Sequence, residues 1–158
     1  MKYEISSDKK DKFHFQIRVT GMLIEGTRLL LVKQKVDSAR EWSLPGGRAE
    51  AGEQLDGAII RELYEETGLT TAVRKLLYVC DKTDCNPPVV HITFLLKRVA
   101  GEIVLPTNEF DDNPINDVRF VEFTDLTQLG FSQKFVDLLE DGFPNAGNYM
   151  GTKGNIGL

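Results

Sequence analysis

Three glutamates, Glu62, Glu65 and Glu66, fall within about one and a quarter turns of a segment, 55–67, that reads as a helix. Leu55, Ala58 and Ile59 begin an apolar stripe along that helix. Glu62 and Glu66 continue almost the same line, and Glu65 lies within about 100° of them. Carboxylates therefore stand where the periodicity calls for core residues. An exposed acidic helix would account for Glu65 but not for Glu62 and Glu66. Like charges this close repel unless something cationic sits among them. A divalent metal would do so, and ligands that are all hard oxygens suit Mg²⁺ or Mn²⁺ rather than zinc. Arg61 can pair with Glu65 one turn on, or reach back to Glu53, and either contact would orient a carboxylate.

The neighbouring segments must deliver these groups. Residues 42–53 hold four glycines or prolines in twelve positions and are expected to form no regular structure. Within them Gly46 and Gly47 would let a carbonyl approach a metal, and Gly52 would turn Glu53 towards the helix start. Gly57, inside the helix, is expected to allow close packing, and Gly68 to close it with a left-handed cap. Phe13, Phe15, Ile17 and Val19 alternate with polar partners as in a strand. Residues 21–25 and 28–33 read as two strands about a turn, after which 37–41 is a polar loop. Residues 73–81, 91–98 and 118–123 read as further strands, and a second helix is expected over 132–141. Strands flanked by a helix in mid-chain and another near the end indicate an α/β layered fold. Residues 1–12 read as a loose lead-in, and 142–158, rich in Gly and Asn, as a tail or a long surface arm of a single domain spanning 1–158.

The segment from Gly47 to Leu69 resembles the Nudix box, G-x5-E-x7-R-E-U-x-E-E-x-G-U with U aliphatic. It matches at all nine defined positions: Gly47, Glu53, Arg61, Glu62, Leu63, Glu65, Glu66, Gly68 and Leu69. The chain is thus identified as MutT-like, a member of the Nudix hydrolases, over roughly residues 15–139. The resemblance implies an α/β/α sandwich with a mixed sheet, and cleavage of a nucleoside diphosphate linked to a moiety X into a nucleoside monophosphate and phospho-X. It implies Glu62, Glu65 and Glu66 as metal ligands, with the Gly46 carbonyl as a further ligand. Glu53 and Arg61 become the orienting pair, and Mg²⁺ the cofactor, with Mn²⁺ as substitute. The general base is Glu62 or an acid from a later loop, for which Glu109, Asp111 and Asp112 are suitably placed. A nucleotide-binding domain of the same fold that does not cleave its ligand is the alternative, and homodimers are common among relatives.

Substrate is less sharply marked. ADP-ribose-type sugar nucleotides and nucleoside triphosphates are the two candidates. The ADP-ribose branch carries a proline about fifteen residues past the box, whereas Pro87 and Pro88 come eighteen and nineteen after Leu69. Trp42, Phe110 and Phe143 are aromatics that could stack on a base, and His91 reads as a structural histidine with its hydrogen bonds met. A net charge of −5 argues against a polymeric nucleic-acid partner and requires local cations at any phosphate site. No apolar run is long enough to span a bilayer and no apolar leader core is visible, so a cytoplasmic protein is expected. Cys80 and Cys85 read as reduced thiols, a local disulfide being the minor alternative.

Overall fold

The computed structural model describes residues 14–34, 40–107 and 114–158. The lead-in 1–12, Phe13, positions 37–39 of the polar loop, and Glu109, Phe110, Asp111 and Asp112 lie outside the described residues. Among the described residues eight strands and two α-helices follow in the order β1 (Gln16–Glu25), β2 (Arg28–Lys33), β3 (Trp42–Ser43), β4 (Gly46–Arg48), α1 (Leu55–Thr67), β5 (Thr70–Lys82), β6 (Val89–Ala100), β7 (Asp117–Glu122), α2 (Gln133–Glu140) and β8 (Asn148–Thr152). Short 3-10 helices occupy Phe123–Leu129 and Lys153–Ile156.

The strands form one mixed sheet in the order β3-β2-β1-β6-β5-β8, with β4 added to β1 and β7 to β2. β1 runs parallel to β6 and β8 parallel to β5, while the remaining pairs are antiparallel. Alternation along β1 explains the layers. Val19 and Leu23 face α1, where they pack with Leu30, Ala58, Ile59, Leu63, Leu69 and Leu96. Met22 faces the opposite side, in a second cluster with Tyr78, Phe131, Phe135 and Leu139 beneath α2. Helices on both faces of a mixed sheet make the α/β/α sandwich that the sequence implies.

Three local differences from the sequence reading have physical causes. Residues 16–19 of the first expected strand and the strand expected at 21–25 form one strand, Gln16–Glu25, because Gly21 continues the pairing of β1 with β6 without a break. The stretch 42–53, expected to be irregular throughout, contains β3 and β4. Gly46, Gly47 and Arg48 pair with Thr20, Val19 and Arg18, so glycine there serves close strand approach rather than disorder of the ladder. Residues 142–158 are neither a tail nor a surface arm: β8 lies along β5, and Ile156 is fully buried in the α2-side core. The Ser132 hydroxyl, which caps α2 by accepting from Phe135 N, also donates to the Gly157 carbonyl at 2.7 Å, fastening this segment to the helix start.

Among the described residues no helix is long and apolar enough to cross a membrane. Cys80 and Cys85 are both free thiols. Because Ile156 fills core volume, Ile156→Ala is expected to destabilise the protein by about 2–4 kcal/mol, read from the midpoint of denaturant unfolding. An unaltered midpoint would show the segment to be detached from the cooperative unit.

Candidate active site

α1 begins where the loop after β4 releases the chain and ends at Gly68, whose φ of 79° supplies the left-handed cap and whose N–H donates to the Tyr64 carbonyl at 2.9 Å. Ala58, Ile59, Leu63 and Thr67 are its buried residues. This fixes the rotation of the helix and carries Glu62 and Glu66 towards β4. Glu66 accepts the Gly46 N–H at 3.1 Å. The Glu62 carboxyl lies against Gly47 so closely that any Cβ at that position would collide with it. A Cβ at Gly46 would collide with the Val19 carbonyl in turn. The two glycines thus form the cradle that lets carboxylates reach the sheet. Gly52, with φ of 87°, makes the turn that precedes Glu53. Gly57 does not serve close packing as expected: it is exposed, and a Cβ added there would meet nothing.

Arg61 sits among the acids. Its Nε and Nη2 donate to the two oxygens of Glu53 at 3.1 and 2.7 Å, a bidentate fork, and Nη2 also donates to the Arg48 carbonyl at 3.0 Å. Its Nη1 donates to Glu62 at 3.1 Å and to Glu65 at 3.2 Å. Both contacts foreseen for Arg61, forward to Glu65 and back to Glu53, exist together. The guanidinium therefore supplies the countercharge that three neighbouring carboxylates require. Glu65 is the most open of them, with 56% of its side chain exposed against 15% for Glu62, so it alone faces solvent freely.

Protonation follows burial. The Arg61 fork holds the Glu53 carboxyl below its ordinary value, and Glu53 in turn holds the Arg61 proton more tightly. Burial pushes Glu62 up, opposed by Arg61. Glu66 is pushed up to about 8, first by burial and then by Glu62, against the opposing pull of the Gly46 N–H. A partly buried carboxylate with one hydrogen bond and no paired cation among the described residues is the group in this site most in need of positive charge. Among the described residues no three carboxylate, imidazole or thiol groups close into a ready-made cation cage. Arg61 explains this, since it already draws Glu62 and Glu65 to itself.

The NUDIX domain model matches residues 14–139. The chain belongs to the Nudix family. Over 119 residues it is 34% identical to an ADP-ribose pyrophosphatase of Methanocaldococcus jannaschii, the alignment covering 73% of this chain and 65% of that relative. The chain is similar in structure to a NUDIX hydrolase from Nitrosomonas europaea, with a TM-score of 0.68 at 18% identity, covering 88% of this chain and 80% of that one. It is also similar to an ADP-ribose pyrophosphatase from Streptococcus suis, with a TM-score of 0.63 at 20% identity, covering 86% and 98%. At such identities the two structures speak for the fold.

Beside the Nudix box lies a cleft of about 260 Å³ that the sequence reading missed, lined among others by Arg18, Arg40, Gly46, His91 and Lys153. Arg18 and His91 are opposite one another on β1 and β6, and Cys80 on β5 is opposite His91, so the three lie in one row across the sheet. Arg40 stacks over the Phe131 ring, 4.4 Å from its centre. The only advance signal was Arg18 standing mid-strand among apolar neighbours. His91 is not satisfied as expected, since its buried Nδ1 has no hydrogen-bond partner among the described residues. Trp42 and Phe143 are buried in the core at 7% and 9% exposure, which removes them as base-stacking surfaces.

Burial, then Lys153 and Arg18, push His91 down to about 4. Its folded value lies below its unfolded value near 6.5. The unfolded chain therefore takes up a proton that the folded one refuses, and stability present above about 6.5 declines as pH falls towards 4. His91→Gln is expected to flatten that decline, measured as unfolding midpoints at pH 4.5, 5.5 and 7; an identical slope in the variant would contradict the neutral buried imidazole.

Proposed function

We propose that this protein is a divalent-metal-dependent pyrophosphohydrolase that cleaves an ADP-ribose-type nucleoside diphosphate linked to X. The observation that carries this reading is the placement of Glu62 and Glu66 on the buried side of α1, cradled by Gly46 and Gly47, beside a cleft bearing Arg18, Arg40 and Lys153. Carboxylates beside a cleft that carries cations match a diphosphate bridged to protein by a divalent ion. The archaeal relative named ADP-ribose pyrophosphatase, aligned over 73% of this chain, favours a sugar nucleotide over a triphosphate.

In this reading Glu62, Glu65 and Glu66, with the Gly46 carbonyl, would hold Mg²⁺, for which Mn²⁺ is a chemical substitute. The fit rests on hard oxygen donors, on a partly buried Glu66 with no cationic partner among the described residues, and on the space that Gly47 leaves for the Glu62 carboxyl. Bound there, the ion would supply Lewis-acid neutralisation of the diphosphate oxygens. The protein's own groups do the rest. Arg61, locked by the Glu53 fork and the Arg48 carbonyl, orients Glu62 and Glu65. Arg18 and Arg40 draw the diphosphate into the cleft against the overall negative charge. Glu62, whose proton affinity is raised by burial, is the general base, taking a proton from the attacking water. Water oxygen joins one phosphorus, the bridging oxygen departs with the other, and nucleoside monophosphate and phospho-X result.

Incubation with Mg²⁺ and a panel of ADP-ribose, other sugar nucleotides, dNTPs and 8-oxo-dGTP, with products separated chromatographically, is the direct test. AMP and ribose phosphate are expected from ADP-ribose, and chelation should stop the reaction. Tight ADP-ribose binding without products would instead identify a non-catalytic binding domain. Glu66→Gln retains an acceptor for the Gly46 N–H, so the fold should persist while kcat drops by about 100-fold or more. Full activity in that variant would contradict the metal assignment.

A further inference from the structure

The segment that follows α2 builds part of the cleft. β8 runs along β5 with Gly151 opposite Cys80, and the chain then enters the 3-10 helix whose first residue is Lys153. Ile156 in the core and Gly157 bonded to Ser132 hold that turn from one side, and β8 holds it from the other. The Lys153 backbone is therefore fixed, and its side chain lines the cleft that also holds Arg18, Arg40 and His91. No hydrogen bond or ion pair engages its ammonium among the described residues. Burial, then Arg40, Arg18 and Lys82, push its pKa down to about 8. An ammonium held beside Arg18 with no acid paired to it among the described residues costs stability and is compensated when an anion binds against it.

Lys153 also marks a junction. It and Leu158 line both the cleft beside the glutamates and a second cavity of about 460 Å³ bounded by Asp81, Lys82, Thr83, Asp84 and Thr152. The first compartment is basic. The second offers carboxylates and hydroxyls, of which the Asp81 Oδ2 is engaged by the Tyr149 hydroxyl at 2.6 Å. Such a surface accepts hydrogen bonds from sugar hydroxyls.

We propose that Lys153 is a substrate-binding residue whose ammonium holds the diphosphate where the two cavities join, with a neutral, hydroxyl-bearing group extending into the cavity of Asp81 and Asp84. This rests on the hydrolase reading for the location of the diphosphate. It goes beyond that reading by assigning a recognition residue outside the Nudix-matched range, which ends at residue 139.

Two measurements decide it. Calorimetric binding of inorganic pyrophosphate in the presence of Mg²⁺ is compared for the unmodified protein, Lys153→Met and Lys153→Arg. The methionine keeps the length of the side chain and removes a crowded cation, so its melting temperature should hold or rise. Its pyrophosphate affinity should fall about tenfold or more, while the arginine variant stays within about threefold. Equal affinity in Lys153→Met, or no pyrophosphate binding by the unmodified protein, overturns the role of Lys153. Steady-state kinetics form the second arm. KM for ADP-ribose should rise about tenfold in Lys153→Met with kcat within about threefold. The unmodified protein should favour ADP-ribose over ATP by about tenfold in kcat/KM, and the reverse preference overturns the assignment of the second cavity. Lys153-dependent pyrophosphate binding without any turnover would sink the hydrolase reading and leave the Lys153 site standing. Turnover with Lys153-independent affinity would do the opposite.

Discussion

Placing carboxylates on the buried side of α1 is the constraint to which the surrounding structure answers. A carboxylate taken out of water must find hydrogen bonds, a countercharge or a proton. Glu62 finds Arg61, and Glu66 finds the Gly46 N–H and a raised proton affinity. Neither arrangement would be reachable if β4 carried side chains at Gly46 and Gly47, because the sheet and the helix meet there at backbone distance. The glycines, the arginine and the glutamates are therefore parts of one solution to a desolvation problem.

Sheet topology decides what that solution can be used for. β1 pairs with β6 along its length, but on its other edge it pairs first with β4 and then with β2. The sheet forks along this edge. The β4 branch carries the cradle for the glutamates of α1, while Arg18 and Thr20 of β1 line the cleft with His91 of β6. The cations of the cleft are thus brought beside the β4 cradle by elements that are far apart in sequence. A chain with a net charge of −5 needs this local concentration of Arg18, Arg40 and Lys153 to attract a phosphorylated ligand at all.

What could be read from the sequence is what is local in it. Residues 55–67 form the helix foreseen, Gly68 its cap, and Arg61 makes both contacts anticipated for it, since each depends on spacings of at most eight residues. The basic cleft draws on β1, β6, the approach to β3 and the turn after β8, and no periodicity links these positions. Glycine content misled twice. It suggested irregularity at 42–53, where close strand pairing was the reason for it, and a loose end at 142–158, where turns fold the chain back onto β5. His91 looked like an ordinary strand residue because its lack of a partner is visible only once Arg18 and Cys80 flank it.

The division between local and distant residues parallels a division of labour. The acids and Arg61 occupy one short segment whose internal geometry is set by a single helix and its preceding loop, so their mutual positions survive changes elsewhere in the fold. Arg18, Arg40, His91 and Lys153, which line the cleft, sit on separate strands and turns outside that segment. Arg61 joins the two levels. By satisfying Glu53, Glu62 and Glu65 together it keeps the acid segment ordered with the protein's own charge. A divalent ion arriving with a diphosphate would then compete for carboxylates already held in place, and Glu53 would retain the guanidinium through its bidentate fork. Order in the acids thus precedes the ligand, and selectivity falls to the walls that surround them.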